Sequence, residues 1–220
     1  MAELILVRHG QASFGADDYD KLSELGWQQS RWLGEYFAQR GAAFDRVIRG
    51  TLRRHAETLS GIAEGMGLTL DAIEDAGLNE YQADVLLRAH TGKEKFQKEG
   101  DRREHFRVLR EALYSWTEGN LAVEAQHRFD TFRDGVLDAL AAIRAGTAKR
   151  VLVVSSGGPI STILAEVLKM PMRGVVDLNL QTRNTGITEL QTGANRIHCV
   201  SFNNVPHLDR TDRVGAVTYS

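Results

Sequence analysis

The stretch Leu4-Ile5-Leu6-Val7-Arg8-His9-Gly10 decides how this chain is read. Four consecutive apolar residues, bounded on both sides by charge, are too few for a helix and too uniform for a half-exposed strand. They read as a strand buried on both faces, the pattern of parallel sheets in α/β proteins. The run breaks at Arg8-His9-Gly10, which sets a guanidinium and an imidazole at the strand's carboxyl end beside a glycine that lets the backbone turn closely. In open α/β sheets that end is where ligands bind.

Outward from this strand, Trp27, Trp32, Leu33, Tyr36 and Phe37 recur at helical spacing between residues 25 and 40, with Ser23 placed to cap the start and Gly41 standing just past the end. Arg46-Val47-Ile48-Arg49 predicts a second strand, residues 53–66 a helix, and residues 68–73 a third strand, so the order is βαβαβ. Residues 81–125 are dense in charge, with Phe96, Phe106, Leu109, Leu113 and Trp116 at amphipathic intervals. They predict a helical insertion lying over one face like a lid. A further amphipathic helix follows over 126–144. Arg150-Val151-Leu152-Val153-Val154-Ser155 is the strongest strand signal, and Gly157-Gly158-Pro159 opens a helix running through Leu168 with proline in its first turn. Strands at 186–190 and 196–202 flank Thr192-Gly193-Ala194-Asn195 as a hairpin. The alternation predicts a three-layer α/β/α sandwich with a mostly parallel sheet, residues 1–220 forming one domain.

Composition narrows the function. A length of 220 residues, with 42% hydrophobic and 25% charged residues, fits one folded domain and excludes disordered, collagenous and membrane classes. With 27 Lys and Arg against 29 Asp and Glu, the net charge of −2 gives no field to steer nucleic acid or an anionic membrane. The single cysteine, Cys199, cannot form an internal disulfide, and no Cys/His cluster or HExxH pattern has metal spacing. The expectation is a cytoplasmic protein without a metal or cofactor, since residues 4–7 are also too few for a signal peptide core or a membrane span. Gly61, Gly65 and Gly67 make no dinucleotide fingerprint, because they sit in the expected helix and do not follow a strand.

Three strand ends therefore collect the chemistry: Arg8-His9-Gly10, Gly50-Thr51-Leu52-Arg53-Arg54, and Ser155-Ser156-Gly157-Gly158. An imidazole attacks phosphorus when its other nitrogen is held by a hydrogen bond that fixes the tautomer. Arg8 and Arg54 supply the positive charge such an attack needs, because guanidinium forks match phosphate oxygens in pairs. Each well-placed donor is worth about 3–4 kcal/mol in a dry site. Glu80, in Leu78-Asn79-Glu80-Tyr81 after a strand, stands where a carboxyl group can protonate a leaving alcohol and then activate water. Taken singly, His9 is a loop histidine, Arg54 a helix arginine and Glu80 a surface acid. Only their combination points to phosphoryl transfer.

These residues resemble a known family. Leu6-Val7-Arg8-His9-Gly10-Gln11, Leu22-Ser23-Glu24-Leu25-Gly26-Trp27, Thr51-Leu52-Arg53-Arg54-His55-Ala56-Glu57-Thr58, Leu78-Asn79-Glu80 and Val154-Ser155-Ser156-Gly157-Gly158 are similar, in order and over nearly the whole chain, to the histidine phosphatase superfamily, also called phosphoglycerate mutase-like. The resemblance implies His9 as the phosphorylated nucleophile, Arg8 and Arg54 as phosphate ligands, Glu80 as proton donor, and no metal. The family's arginine lies four residues before a threonine, so Thr58 selects Arg54 and leaves Arg53 facing elsewhere. The chain departs from the family at Ser156, where a second histidine usually stands; the Ser156 hydroxyl and the Gly157 N–H are then the expected phosphate donors at that helix start. Gly15 likewise replaces a phosphate-contacting asparagine. His55 and His207 are the two histidines that could fill the gap.

The reading that follows is a metal-independent phosphomonoesterase acting on a small phosphorylated substrate, with Ser156→His expected to raise turnover. A phosphoryl-binding pseudoenzyme and a mutase-type phosphotransferase are the alternatives. A serine hydrolase with Ser156 as nucleophile is disfavoured, because Val154 breaks the Gly-x-Ser-x-Gly elbow.

Overall fold

The computed structural model describes residues 2–13, 20–93, 102–193 and 196–219. Six strands form one mixed sheet in the order β3-β2-β4-β1-β5-β6. β1 (Ala2–Arg8), β2 (Arg46–Arg49), β3 (Ile73–Glu74) and β4 (Arg150–Ser155) run parallel, and β5 (Ile187–Thr192) and β6 (Ile197–Asn204) close one side antiparallel. β1 and β4 pair in register from Glu3 opposite Arg150 to Arg8 opposite Ser155, so both strands end side by side.

The uniform apolar run of β1 has the consequence expected of it. Leu4 and Leu6 enter one core with Ile48, Val151 and Val153, under α5 (Phe129–Ala145) and α6 (Gly157–Val167). Ile5 and Val7 enter the other with Val47, Leu152 and Val154, under α1 (Glu24–Gln39) and α2 (Arg53–Met66). Adjacent side chains of a strand point to opposite faces, so covering both faces requires apolar residues throughout. A third cluster joins α3 (Ala83–Thr91), α4 (Arg102–Thr117) and α7 (Arg173–Asn179) to α5 and α6 through Leu86, Leu113, Trp116, Phe129 and Val176.

Local signals place the helix ends well. The Ser23 hydroxyl accepts from the Gly26 N–H at the start of α1, and Gly67, at φ +66, ends α2. Gly65 serves packing: a Cβ there would meet the Arg31 carbonyl oxygen at 2.1 Å, so only glycine lets α2 lie this close to α1.

Three expectations are corrected. β3 is only Ile73–Glu74, not 68–73; it joins the sheet edge where the four-residue β2 still has partners to offer, opposite Ile48 and Arg49. The helix expected at 126–144 starts at Phe129, after a 3-10 turn over Ala125–His127. α7 was not expected, being a short segment that forms by burying Val175 and Val176 against the insertion. The insertion is helical at α3 and α4, while residues 94–101, including Phe96, lie outside the described residues, as do Gly15 and the hairpin tip 194–195. No described helix is long and apolar enough to cross a membrane.

Candidate active site

The carboxyl ends of β1, β4 and β2 lie together because backbone bonds continue past the strands. The His9 N–H donates to the Ser155 carbonyl at 2.9 Å, and the Gly50 N–H donates to the Val154 carbonyl at 3.1 Å. His9, Ser156 and the start of α2 therefore share one corner of the sheet. Each is almost covered: His9 is 5% exposed, Arg8 and Arg54 8%, His55 and Ser156 0%.

His9 is held in one tautomer. Its Nδ1 lies 2.7 Å from the Gly10 carbonyl, which can only accept, so Nδ1 carries the hydrogen and Nε2 keeps its lone pair. Burial first, then the charges of Arg54 and Arg8 and the neighbouring His55, hold its pKa well below the ordinary value, against the opposing Gly10 carbonyl. The ring is neutral at physiological pH, the form a nucleophile needs. The surrounding loop is tied down: the Gly10 N–H donates to the Thr58 hydroxyl at 3.0 Å, Thr58 donates to the Arg54 carbonyl at 2.7 Å, and the Asn184 side chain donates to the His9 carbonyl at 3.1 Å. The threonine four residues after Arg54 thus links the His9 loop to the arginine's own backbone.

The two arginines are anchored from different sides. Arg8 Nη1 donates to the Thr182 carbonyl at 2.5 Å and the Tyr219 carbonyl at 2.7 Å. Arg54 Nη1 meets Asp20 Oδ1 at 2.6 Å, and the other Asp20 oxygen accepts from the Arg53 N–H at 2.8 Å. The Arg53 side chain turns outward to Glu57, so of the adjacent pair it is Arg54 that is buried.

Glu80 comes to the same corner from the opposite side of β4. Its two carboxyl oxygens each lie 3.2 Å from the Gly158 N–H at the start of α6. Glu80 is half-buried, and this burial raises its pKa. Arg54, the Gly158 N–H and Arg8 oppose the rise. A carboxyl that holds its proton to higher pH beside two guanidinium groups is suited to donate it.

The two candidate histidines separate. His55 Nε2 lies 2.8 Å from Ser156 Oγ, and the His55 and His9 ring centroids are 5.8 Å apart. His207 instead bonds the Thr185 hydroxyl at 2.8 Å and packs against Tyr36. Gly157 packs its Cα against Asn179 and Thr182, where a side chain would collide with both. Asp20, Thr182 and Asn184 escaped the sequence reading. They carry no motif and matter only through what they hold.

A family model described as the histidine phosphatase superfamily (branch 1) matches residues 4–205. The chain belongs to that superfamily. Among curated proteins, the 2,3-bisphosphoglycerate-dependent phosphoglycerate mutase of Methylorubrum extorquens (strain PA1) is 34% identical over 84 residues, 35% of this chain. The match spans 40% of the mutase's length. YhfR of Bacillus stearothermophilus superimposes with a TM-score of 0.71 at 18% identity, over 94% of this histidine phosphatase family member and 99% of YhfR. A mutant phosphoserine phosphatase of Entamoeba histolytica in complex with phosphoserine gives a TM-score of 0.66 at 20% identity, over 94% of this chain and 100% of its own. At these identities the structures speak for the fold, and the fold is that of their family.

Proposed function

We propose that this superfamily member hydrolyses phosphomonoesters through a phosphohistidine on His9. The observation that carries the reading is the fixed tautomer: Nδ1 is bonded to the Gly10 carbonyl, which leaves the Nε2 lone pair of a neutral imidazole next to Arg8 and Arg54.

The chemistry follows from these groups. Nε2 attacks phosphorus while the ester P–O bond breaks, and the leaving alkoxide takes the Glu80 proton. Arg8 and Arg54 neutralise charge on the transferring oxygens, with Ser156 and the Gly157 N–H as further phosphate donors. Water then attacks the phosphohistidine and gives its proton to the Glu80 carboxylate. The P–N bond breaks, inorganic phosphate leaves, and neutral His9 and protonated Glu80 are restored.

The whole chain acts as one domain in this reading, with residues 81–125 as a lid that selects the substrate. Supporting the lid role, a cavity of about 400 Å³ beside Glu80 takes Tyr81, Gln82, Leu86 and Trp116 of its wall from the insertion. The substrate is a small phosphorylated molecule. The similarity to a mutase favours phosphotransfer between substrates as a second reading.

The test is turnover of p-nitrophenyl phosphate and phosphoserine by the parent and by His9→Ala. Hydrolysis that vanishes in the variant is expected. Equal hydrolysis by both removes the phosphohistidine route, and transfer to 3-phosphoglycerate in place of water replaces hydrolase by mutase.

A further inference from the structure

Resting on the phosphoryl transfer proposed above and deepening it, we propose that His55 and Ser156 work as one unit. The His55 ring holds the Ser156 hydroxyl so that its hydrogen points to the phosphoryl group on His9, a neutral donor where the resemblance expects a second imidazole.

The placement comes from three elements. Ser156 follows β4, directly beside the His9 backbone, and His55 enters from the first turn of α2. The His55–Ser156 contact of 2.8 Å is fully buried, so no water competes for either partner. The ring reaches this place only because residue 50 is glycine, since a Cβ there would fall 2.2 Å from His55 Nδ1.

Hydrogen-bond accounting sets the direction. His55 Nδ1 is buried without a partner in hydrogen-bond geometry among the described residues. A hydrogen kept there would face only the Gly50 backbone, out of hydrogen-bond geometry, whereas Nε2 has a partner at 2.8 Å. In the proposed unit the hydrogen sits on Nε2 and is donated to Ser156 Oγ, which leaves the serine's own hydrogen for an anionic oxygen. Burial, followed by the charges of Arg54 and Arg49, takes the His55 pKa down to about 3 against the opposing Gly50 backbone. So weak a base does not deprotonate serine near neutrality, which argues against Ser156 as a nucleophile and for the pair as a positioning device. His55 acts through Ser156.

This arrangement reverses the expectation that Ser156→His raises turnover. The new imidazole would enter the space His55 already fills, 2.8 Å away.

The test is steady-state hydrolysis of p-nitrophenyl phosphate and phosphoserine by the full chain and its variants, with thermal unfolding to verify folding. His55→Ala and Ser156→Ala are each expected to lower kcat by roughly 10²-fold, the scale for losing one transition-state donor. The double variant loses no more than either single one, because both remove the same bond. His55→Gln, whose amide reaches the Nε2 position, recovers about a tenth of the parental rate or more on that scale. Ser156→His is slower than the parent, and H55A/S156H is faster than S156H. Binding of orthovanadate, followed by calorimetry, weakens equally in H55A and S156A and reads the pair without turnover.

The pair is overturned if folded His55→Ala keeps the parental kcat and vanadate affinity, or if the two alanine losses multiply. In either case a dead His9→Ala leaves the phosphohistidine reading standing. An active His9→Ala removes both.

Discussion

Gly158→Ala tests Glu80 without touching it. A Cβ on residue 158 would fall 2.1 Å from Glu80 Oε1 and 2.9 Å from two ring carbons of Tyr81. An ordinary contact is about 3.4 Å, so the carboxyl must retreat by roughly 1 Å, a displacement of a reacting group that costs about 10²-fold in rate. That corresponds to about 2.7 kcal/mol of barrier. The fold loses something, because the Tyr81 ring, packed on Trp116 and Phe132, must shift as well, offset in part by the preference of a helix for alanine over glycine of up to about 1 kcal/mol. The assay compares two leaving groups. Serine leaves as an alkoxide that needs a proton, whereas p-nitrophenolate leaves unaided. Dephosphorylation is common to both, so it is the rate of His9 phosphorylation, read by rapid mixing, that should fall about 10²-fold on the first and less than about tenfold on the second. A cooperative melt, lowered only modestly, accompanies this result. Equal losses on both substrates would refute Glu80 as the proton donor, and no loss on either would refute the contact itself.

Arg54→Lys removes a fork that an ammonium cannot reproduce, and kcat/KM should fall roughly 10²–10³-fold. Arg53→Ala removes only an outward side chain paired to Glu57 and should stay within about threefold on that scale; comparable losses in both would undo the assignment of the phosphate ligand. Stability should fall with acid. The folded pKa values of His55 and His207 are lowered from 6.5 to about 3, so their contribution is complete above pH 6.5 and disappears as pH falls towards 3. His9 is lowered as well, and three protons taken up on unfolding give a slope approaching about 4 kcal/mol per pH unit. Glu80, with its raised pKa, has the opposite sign: it stabilises below the usual carboxyl range and loses that contribution as pH rises through its folded value. Urea unfolding at pH 7 and pH 5 reads the balance, and His207→Gln should remove about one proton from the slope. A midpoint that does not move between the two pH values contradicts the burial of neutral histidines.

The sheet was legible where both its faces are covered. Leu4–Val7 and Val151–Val154 are uniformly apolar because helices close over each side, and that need is written locally. The ends of α1 were legible for the same local reason, through Ser23 and Gly41. β3 was misplaced because an edge strand held by two residue pairs leaves most of its segment unconstrained by burial. α7 owes its existence to the insertion it packs on, which no nearby residue announces. In the site, the order of motifs picked out His9, Arg8, Arg54 and Glu80, and the structure brings them to one corner. The bond from His55 to Ser156 spans 101 positions, and neither residue belongs to a pattern that calls for the other. Such a pairing is visible only once β2 and β4 lie side by side.

The central claim is that phosphorus becomes bonded to a ring nitrogen of His9. Rapid mixing with radiolabelled phosphoserine, quenching in alkali and mapping of the labelled peptide measures that directly. The expected result is one acid-labile, base-stable phosphoryl group on the peptide containing His9, absent from His9→Ala. Label on Ser156, or full turnover by a chain that never carries label on a histidine, would contradict it.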